Sequence, residues 1–305
     1  MPVNWQIHTT LILGLFAIGT VVGSFLNVCI YRIPWQKSVL WPGSHCPRCL
    51  TAIAAQDNIP IASWFALRGE CRNCGLGISP RYPLIESLVG TLFAGVYVAY
   101  VIYGRTLVFW GPFPTSISVG LAYHLVLVAL LVAATFIDYD LTIIPDQITI
   151  PGMIVGVGLG AFYPEIRPEP MNANTNWAGF VVGLTGLLAG GGLTFSVRLL
   201  GSLALRREAM GFGDVTLMAM IGAFLGWQVA ALTFFLAPFF GLSHALAKLV
   251  VYVGKRLSGT SVTSADREIP FGPYLSMAAI ALLLSWPWLW PGWAKGFFGS
   301  VRMLF

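Results

Sequence analysis

The chain has 305 residues, 57% of them hydrophobic and only 10% charged, with a net charge of +5. Its mean hydropathy is +0.78. A water-soluble domain carries roughly 25% charged residues, so this composition excludes an ordinary soluble enzyme. The small positive charge is scattered along the chain and gives no nucleic-acid footprint. The expected fold class is an all-α membrane protein, because backbone facing lipid must satisfy its hydrogen bonds within its own helix.

In chain order, residues 9–31 form the first long apolar run. The first basic residue is Arg32, so the run lacks the basic n-region of a cleavable export signal. It reads as a first transmembrane helix, for which about 20 residues suffice. Residues 32–83 are the one large polar insertion. Further apolar runs follow near 84–103, 117–137, 147–163, 178–200, 214–227, 229–253 and 272–292, so a polytopic bundle of about eight spans is expected. The stretch Val215–Val253 has 39 residues, too long for one span, and is divided near Gly226-Trp227-Gln228. Between the fourth and fifth spans, Pro164–Trp177 is rich in Pro and Asn and reads as a flexible outer loop. The expected domains are a first helix (1–31), a polar loop domain (32–83) and a seven-helix membrane domain (84–305).

Orientation follows from the basic residues, which are retained on the cytoplasmic side. With 32–83 inside, alternate loops place 13 Lys and Arg inside, against Arg105, Arg167, Lys295 and Arg302 outside. Both termini then lie outside. An odd number of spans would scramble this segregation.

The polar insertion carries Cys46-Pro-Arg-Cys49 and Cys71-Arg-Asn-Cys74, with 21 residues between the pairs. Each CxxC turn aims two thiolates at one point, and two such turns close a tetrahedral S₄ site suited to zinc. A closed four-thiolate site has no open position for water, so a structural metal is expected. Two disulfides or four free thiols are the alternatives, and a cytoplasmic loop disfavours disulfides. His45 is a possible substitute ligand, more simply a solvated loop histidine. Cys29, alone in the first span, reads as packing.

The third span runs into Ile137-Asp138-Tyr139-Asp140, followed by Ile144-Pro145-Asp146; Gly211-Phe212-Gly213-Asp214 opens the sixth. Two spans separate Asp138 from Asp214, so parity puts both on the same membrane face. Facing carboxylates can share one proton. The charged one then activates water and the protonated one polarises a carbonyl. The bland alternative is that an Asp at a helix start is an N-cap, and Asp146 and Asp214 both sit at expected starts; for Asp140 and Asp146 the structural role is the favoured reading. The histidines His8, His45, His124 and His244 show no triad setting.

At these residues the chain resembles the type IV prepilin peptidases, the GxGD-type membrane aspartic proteases. The resemblance runs through Gly23-Ser24-Phe25-Leu26-Asn27-Val28, Tyr31-Arg32-Ile33-Pro34, both CxxC pairs, Arg81-Tyr82-Pro83 with Glu86, the Asp138–Asp146 segment and Gly211–Asp214. The resemblance implies that Asp138 and Asp214 are the catalytic pair and that Cys46, Cys49, Cys71 and Cys74 bind zinc in a cytoplasmic loop. It implies a multi-pass protein of the bacterial inner membrane whose protein substrates are type IV prepilins and type II secretion pseudopilins. The family removes a short basic leader after a glycine, and many members then methylate the new N-terminus with S-adenosylmethionine. The segment Pro164–Trp177 matches no family motif.

Two other function classes are compatible with parts of the pattern. A proton-coupled transporter would use intramembrane carboxylates, but nearer the midplane and with broken helices. A zinc-dependent membrane sensor or assembly protein would need the cysteines and neither aspartate.

Overall fold

The computed structural model describes residues 5–103, 115–167, 175–257, 270–289 and 296. Among them the regular structure is helical, apart from two isolated β-bridges in the polar insertion. The helices are α1 (Trp5–Arg32), α2 (Ala62–Ala66), α3 (Arg81–Tyr97, continued as a π-helical turn Val98–Tyr103), α4 (Thr115–Leu141), α5 (Asp146–Phe162), α6 (Asn176–Leu205), α7 (Phe212–Leu257) and α8 (Gly272–Leu289). Among the described residues six stretches are long and apolar enough to cross a membrane: Trp5–Trp35, Arg81–Ile102, Ser118–Leu141, Asn176–Leu205, Phe212–Gly254 and Gly272–Leu289; Asp146–Phe162 is a shorter apolar helix. The chain is a multi-pass, all-helical membrane protein. Residues 168–174 of the expected outer loop and 290–292 of the expected last span lie outside the described residues.

The division expected near Gly226 is present, and its form is a reversal. Gly226 has φ 83 and ψ 172, which no helix contains. A side chain at Gly190 of α6 would touch both Met218 and Ala230, and one at Gly186 both Gly222 and Gly226. In an unbroken helix Met218 and Ala230 would stand about 18 Å apart. Both can lie beside Gly190 only if the chain folds back at Gly226. The α7 stretch is therefore two antiparallel arms, 212–225 and 227–257, so that with α1, α3, α4, the shorter α5, α6 and α8 the described residues hold eight apolar helical segments. The first arm is only about 20 Å long, short of the roughly 30 Å hydrocarbon core. Gly226 and Gln228 are buried, so the break sits within protein, where membrane proteins tolerate irregular backbone.

The chain forms two compact units, one of residues 1–109 with 117–133, the other of 110–116 with 134–305. In the first, α1 lies against α3. Gly19 and Gly23, four residues apart, face this contact: a Cβ on Gly19 would come within 2.7 Å of the Gly90 Cα, and one on Gly23 within 2.7 Å of the Glu86 Cα. Small residues at this spacing let membrane helices approach backbone to backbone, where dispersion and not water exclusion holds them. In the second unit α7 packs on α5, α6 and α8, with its most extensive contact to α6. Gly186 and Gly222 meet there with no room for a methyl group on either.

Candidate active site and metal centre

Asp138 sits in the last turn of α4 and Asp214 in the first turn of α7. Both are buried, 5% and 8% exposed. After Asp138 the chain turns through Thr142, at φ 54, whose N–H donates to the Asp138 carbonyl (2.8 Å). It then enters α5 through Ile143-Ile144-Pro145.

Ile144 joins the segments that carry the two aspartates. A Cβ on Gly213, next to Asp214, would lie 2.8 Å from the Ile144 Cβ; a Cβ on Gly272 would lie 2.9 Å from its Cδ1 and 2.6 Å from the Asp138 Oδ2. The glycines are thus required by close packing, of Ile144 at 213 and of the carboxylate itself at 272. The Gly272 N–H donates to Asp138 Oδ2 at 3.0 Å. Parity placed the two aspartates on one face, and the fold brings them into one buried cluster.

Gly272 was missed by sequence reasoning, although Pro270-Phe271-Gly272-Pro273 at a helix start was a visible cue to a constrained turn. Asp140 and Asp146 are exposed. Asp146 is not the cap of α5, a position that Pro145 takes; it lies in the first turn, where a carboxylate favours the positive end of the helix dipole.

The other matched segments converge in the first unit. The Asn27 side-chain amide donates to the Tyr82 carbonyl (3.3 Å), and Glu86, buried on α3, accepts the N–H of Ile61 on Oε2 at 2.7 Å. Ile61 has φ 62 and ψ −56, and the Ala62 N–H closes onto the Pro60 carbonyl at 2.5 Å. That is a γ-turn of the rare, strained kind, taken by a β-branched residue that ordinarily avoids it. Glu86 thus ties the polar insertion to the membrane helix at this strained residue.

The insertion itself is built from two matching turns. The Cys46 N–H bonds the Thr51 carbonyl and the Leu50 N–H bonds the Cys46 carbonyl; Cys71 with Leu76, and Gly75 with Cys71, repeat the pattern. Leu50 and Gly75 take the left-handed conformation that closes each turn. Asn73 reaches across to the Thr51 hydroxyl (2.9 Å), and Arg72 grips Asp57 through two bonds of 2.8 and 2.6 Å. That guanidinium holds the Asp57 carboxyl below its usual range.

The four sulfurs of Cys46, Cys49, Cys71 and Cys74 lie within 4.8 Å of one another, with Cys46 and Cys74 at 3.7 Å. Zinc–sulfur bonds of about 2.3 Å in a tetrahedron put sulfurs about 3.8 Å apart, whereas a disulfide needs about 2.0 Å. All four cysteines are free, and the donor set fits a zinc ion.

The electrostatics point the same way. The Thr51 hydroxyl and N–H hold Cys49 down at about 5, and the N–H groups of Cys74 and Asn73 lower Cys71. The Leu76 N–H also favours the Cys74 thiolate, but desolvation and the neighbouring sulfurs outweigh it and push Cys74 up to about 11. Thiolates crowded this closely repel unless a cation joins them. His45 bonds Gly43 and is not part of the cluster, and Cys29 is buried on α1.

Fold and site together define a multi-pass membrane protein with a buried carboxylate pair at helix ends and a four-thiol metal cluster in a polar insertion. Residues 17–100 match the bacterial Peptidase A24 N-terminal domain, and residues 125–246 match the type IV leader peptidase family. The chain is 35% identical to the prepilin leader peptidase/N-methyltransferase of Myxococcus xanthus (strain DK1622), with 90% of each chain covered. It is also 35% identical to the protein of that name from Stutzerimonas stutzeri, again over 90% of each, and 33% identical to that of Aeromonas salmonicida over 88% of this chain and 89% of the relative. No solved structure matches. The chain belongs to the type IV leader peptidase family.

Proposed function

We propose that this protein is a membrane aspartic endopeptidase that removes the short basic leader of type IV prepilins and of type II secretion pseudopilins, with Asp138 and Asp214 as its catalytic pair. The single observation that carries the reading is the burial of these two carboxylates in one cluster around Ile144 and Gly272. Like charges buried in one cluster favour a shared proton. The ionised carboxylate takes a proton from the attacking water, and the protonated one donates a hydrogen bond to the scissile carbonyl. The proton gained from water then goes to the leaving amine as the C–N bond breaks. The N–H of Gly272 orients the Asp138 carboxylate.

The protein resides in the bacterial inner membrane, with the aspartate-bearing helix ends on the cytoplasmic side; the support is the segregation of basic residues. Zinc, held by Cys46, Cys49, Cys71 and Cys74, is structural and stabilises residues 32–83, while 84–305 form the peptidase domain. Methylation of the new N-terminus with S-adenosylmethionine is the second activity of this reading, and its support is the relatives' names alone.

The test is cleavage of a purified prepilin by the protein in proteoliposomes. Asp138→Asn and Asp214→Asn should each abolish leader removal while the protein stays inserted and unfolds at the wild-type temperature. Near-normal turnover by either variant removes that residue from the mechanism.

A further inference from the structure

The expected outer loop contains a residue that the aspartate chemistry leaves unused. Arg167 follows the 3₁₀ turn Pro164–Ile166 and is 2% exposed, not solvated as a loop arginine would be. Its Nη1 donates to the carbonyls of Gly160 (3.1 Å) and Gly179 (2.6 Å), and its Nη2 to those of Gly156 (3.1 Å) and Ala223 (3.4 Å). Among the described residues no carboxylate is in ion-pair contact with it, so carbonyl dipoles meet its charge. Among the described residues its buried Nε has no hydrogen-bond partner.

These carbonyls come from three helices. Gly156 and Gly160 lie in the last turns of α5, Gly179 in the first turn of α6, and Ala223 at the end of the first α7 arm, three residues before the break. Both α5 and that arm direct their C-termini at the guanidinium, and a helix C-terminus carries roughly half a negative charge. The socket is lined with glycine: a Cβ on Gly160 or on Gly183 would overlap the guanidinium. The N-termini of the same two helices lead into the aspartate cluster. Asp214 opens the α7 arm, and α5 begins two residues after Ile144, which packs between the aspartate-bearing segments. Nine residues of helix, about 14 Å, separate Asp214 from Ala223. A segment so short transmits any slide at its far end directly to Asp214.

We propose that Arg167 is a positioning residue for the aspartate pair: its guanidinium pins the C-termini of α5 and of the first α7 arm together and so sets the depth at which Asp214 meets Asp138. The inference rests on the peptidase reading of the two aspartates. Arginine suits the task because its planar fork can serve several carbonyls at once, which a lysine ammonium on a single stem cannot.

The experiment uses the full-length protein in proteoliposomes with a prepilin substrate, beside thermal unfolding in detergent. Arg167→Met should lower kcat by about 10²-fold, the loss expected when catalytic groups move by about 1 Å. KM should stay near wild type, and the pH–rate profile should shift because the proton-sharing geometry has changed. Arg167→Lys should recover part of kcat. Gly183→Ala should lower both kcat and the unfolding temperature in the wild type but lose most of that penalty in an Arg167→Ala background, since the overlap with the guanidinium goes and only a 3.2 Å approach to the Val157 Cα remains. Wild-type kcat in Arg167→Met, or an undiminished Gly183→Ala penalty in the Arg167→Ala background, would overturn the proposal. If the wild type cuts no prepilin, the aspartate reading falls, and the unfolding temperatures alone decide whether the clamp exists: non-additivity supports it and strict additivity refutes it.

Discussion

Adding one methyl group at Gly272 tests the cluster more sharply than removing a carboxylate. The methyl carbon of Gly272→Ala would lie 2.6 Å from Asp138 Oδ2, whereas ordinary contacts are 3.4 Å or longer, so the oxygen must retreat about 0.8 Å. The same movement stretches the 3.0 Å hydrogen bond from the Gly272 N–H. Misplacing a catalytic group by about 1 Å costs about 10²-fold, so kcat for leader removal should fall 10- to 10²-fold by that rule. KM should hold, because an unchanged KM with lowered kcat marks an interaction lost at the transition state. Gly272 does not adopt positive φ, so alanine brings no backbone strain, and any fall in unfolding temperature comes from crowding Asp138 and the Ile144 Cδ1, 2.9 Å from the new methyl. Gly158→Ala, with open space where its Cβ would be, serves as the control and should keep wild-type turnover. Initial rates on a prepilin peptide in proteoliposomes give both constants. A Gly272→Ala variant with wild-type kcat would refute the placement of Asp138 against this glycine.

Asp140→Asn and Asp146→Asn should retain most activity, since both side chains are exposed; a loss equal to that of Asp138→Asn would show that the pair is misassigned. Wild-type protein should carry one zinc per chain by elemental analysis. Cys71→Ser should lose that metal and loosen residues 32–83, yet still cut short substrates; complete loss of cleavage in a well-folded variant would count against a purely structural metal. Protease sites inserted at Asn172 and Ser264, both outside the described residues, should be cut from opposite faces of sealed vesicles, Asn172 from outside and Ser264 from the cytoplasm. Cleavage of both from one face would break the eight-span topology.

Apolar runs of spanning length, basic residues on alternate loops and two CxxC pairs are local patterns, and each states its physics within a short window. The helical membrane fold, the thiol cluster and the candidacy of Asp138 and Asp214 were therefore legible from the sequence alone. Even the break near Gly226 could be read, because 39 apolar residues exceed one bilayer crossing. That the break is a reversal could not. It depends on α6 offering Gly186 and Gly190 as a groove in which both arms of α7 lie. The same limit hid Gly272, which lies 134 residues from the Asp138 carboxylate that it orients. It also hid Arg167, which composition assigns to a flexible loop and packing places among four backbone carbonyls. A glycine's absent side chain and an arginine's lone charge acquire meaning only from what stands opposite them. In a membrane, where buried backbone and charge must find partners inside the protein, tertiary structure alone decides what that is.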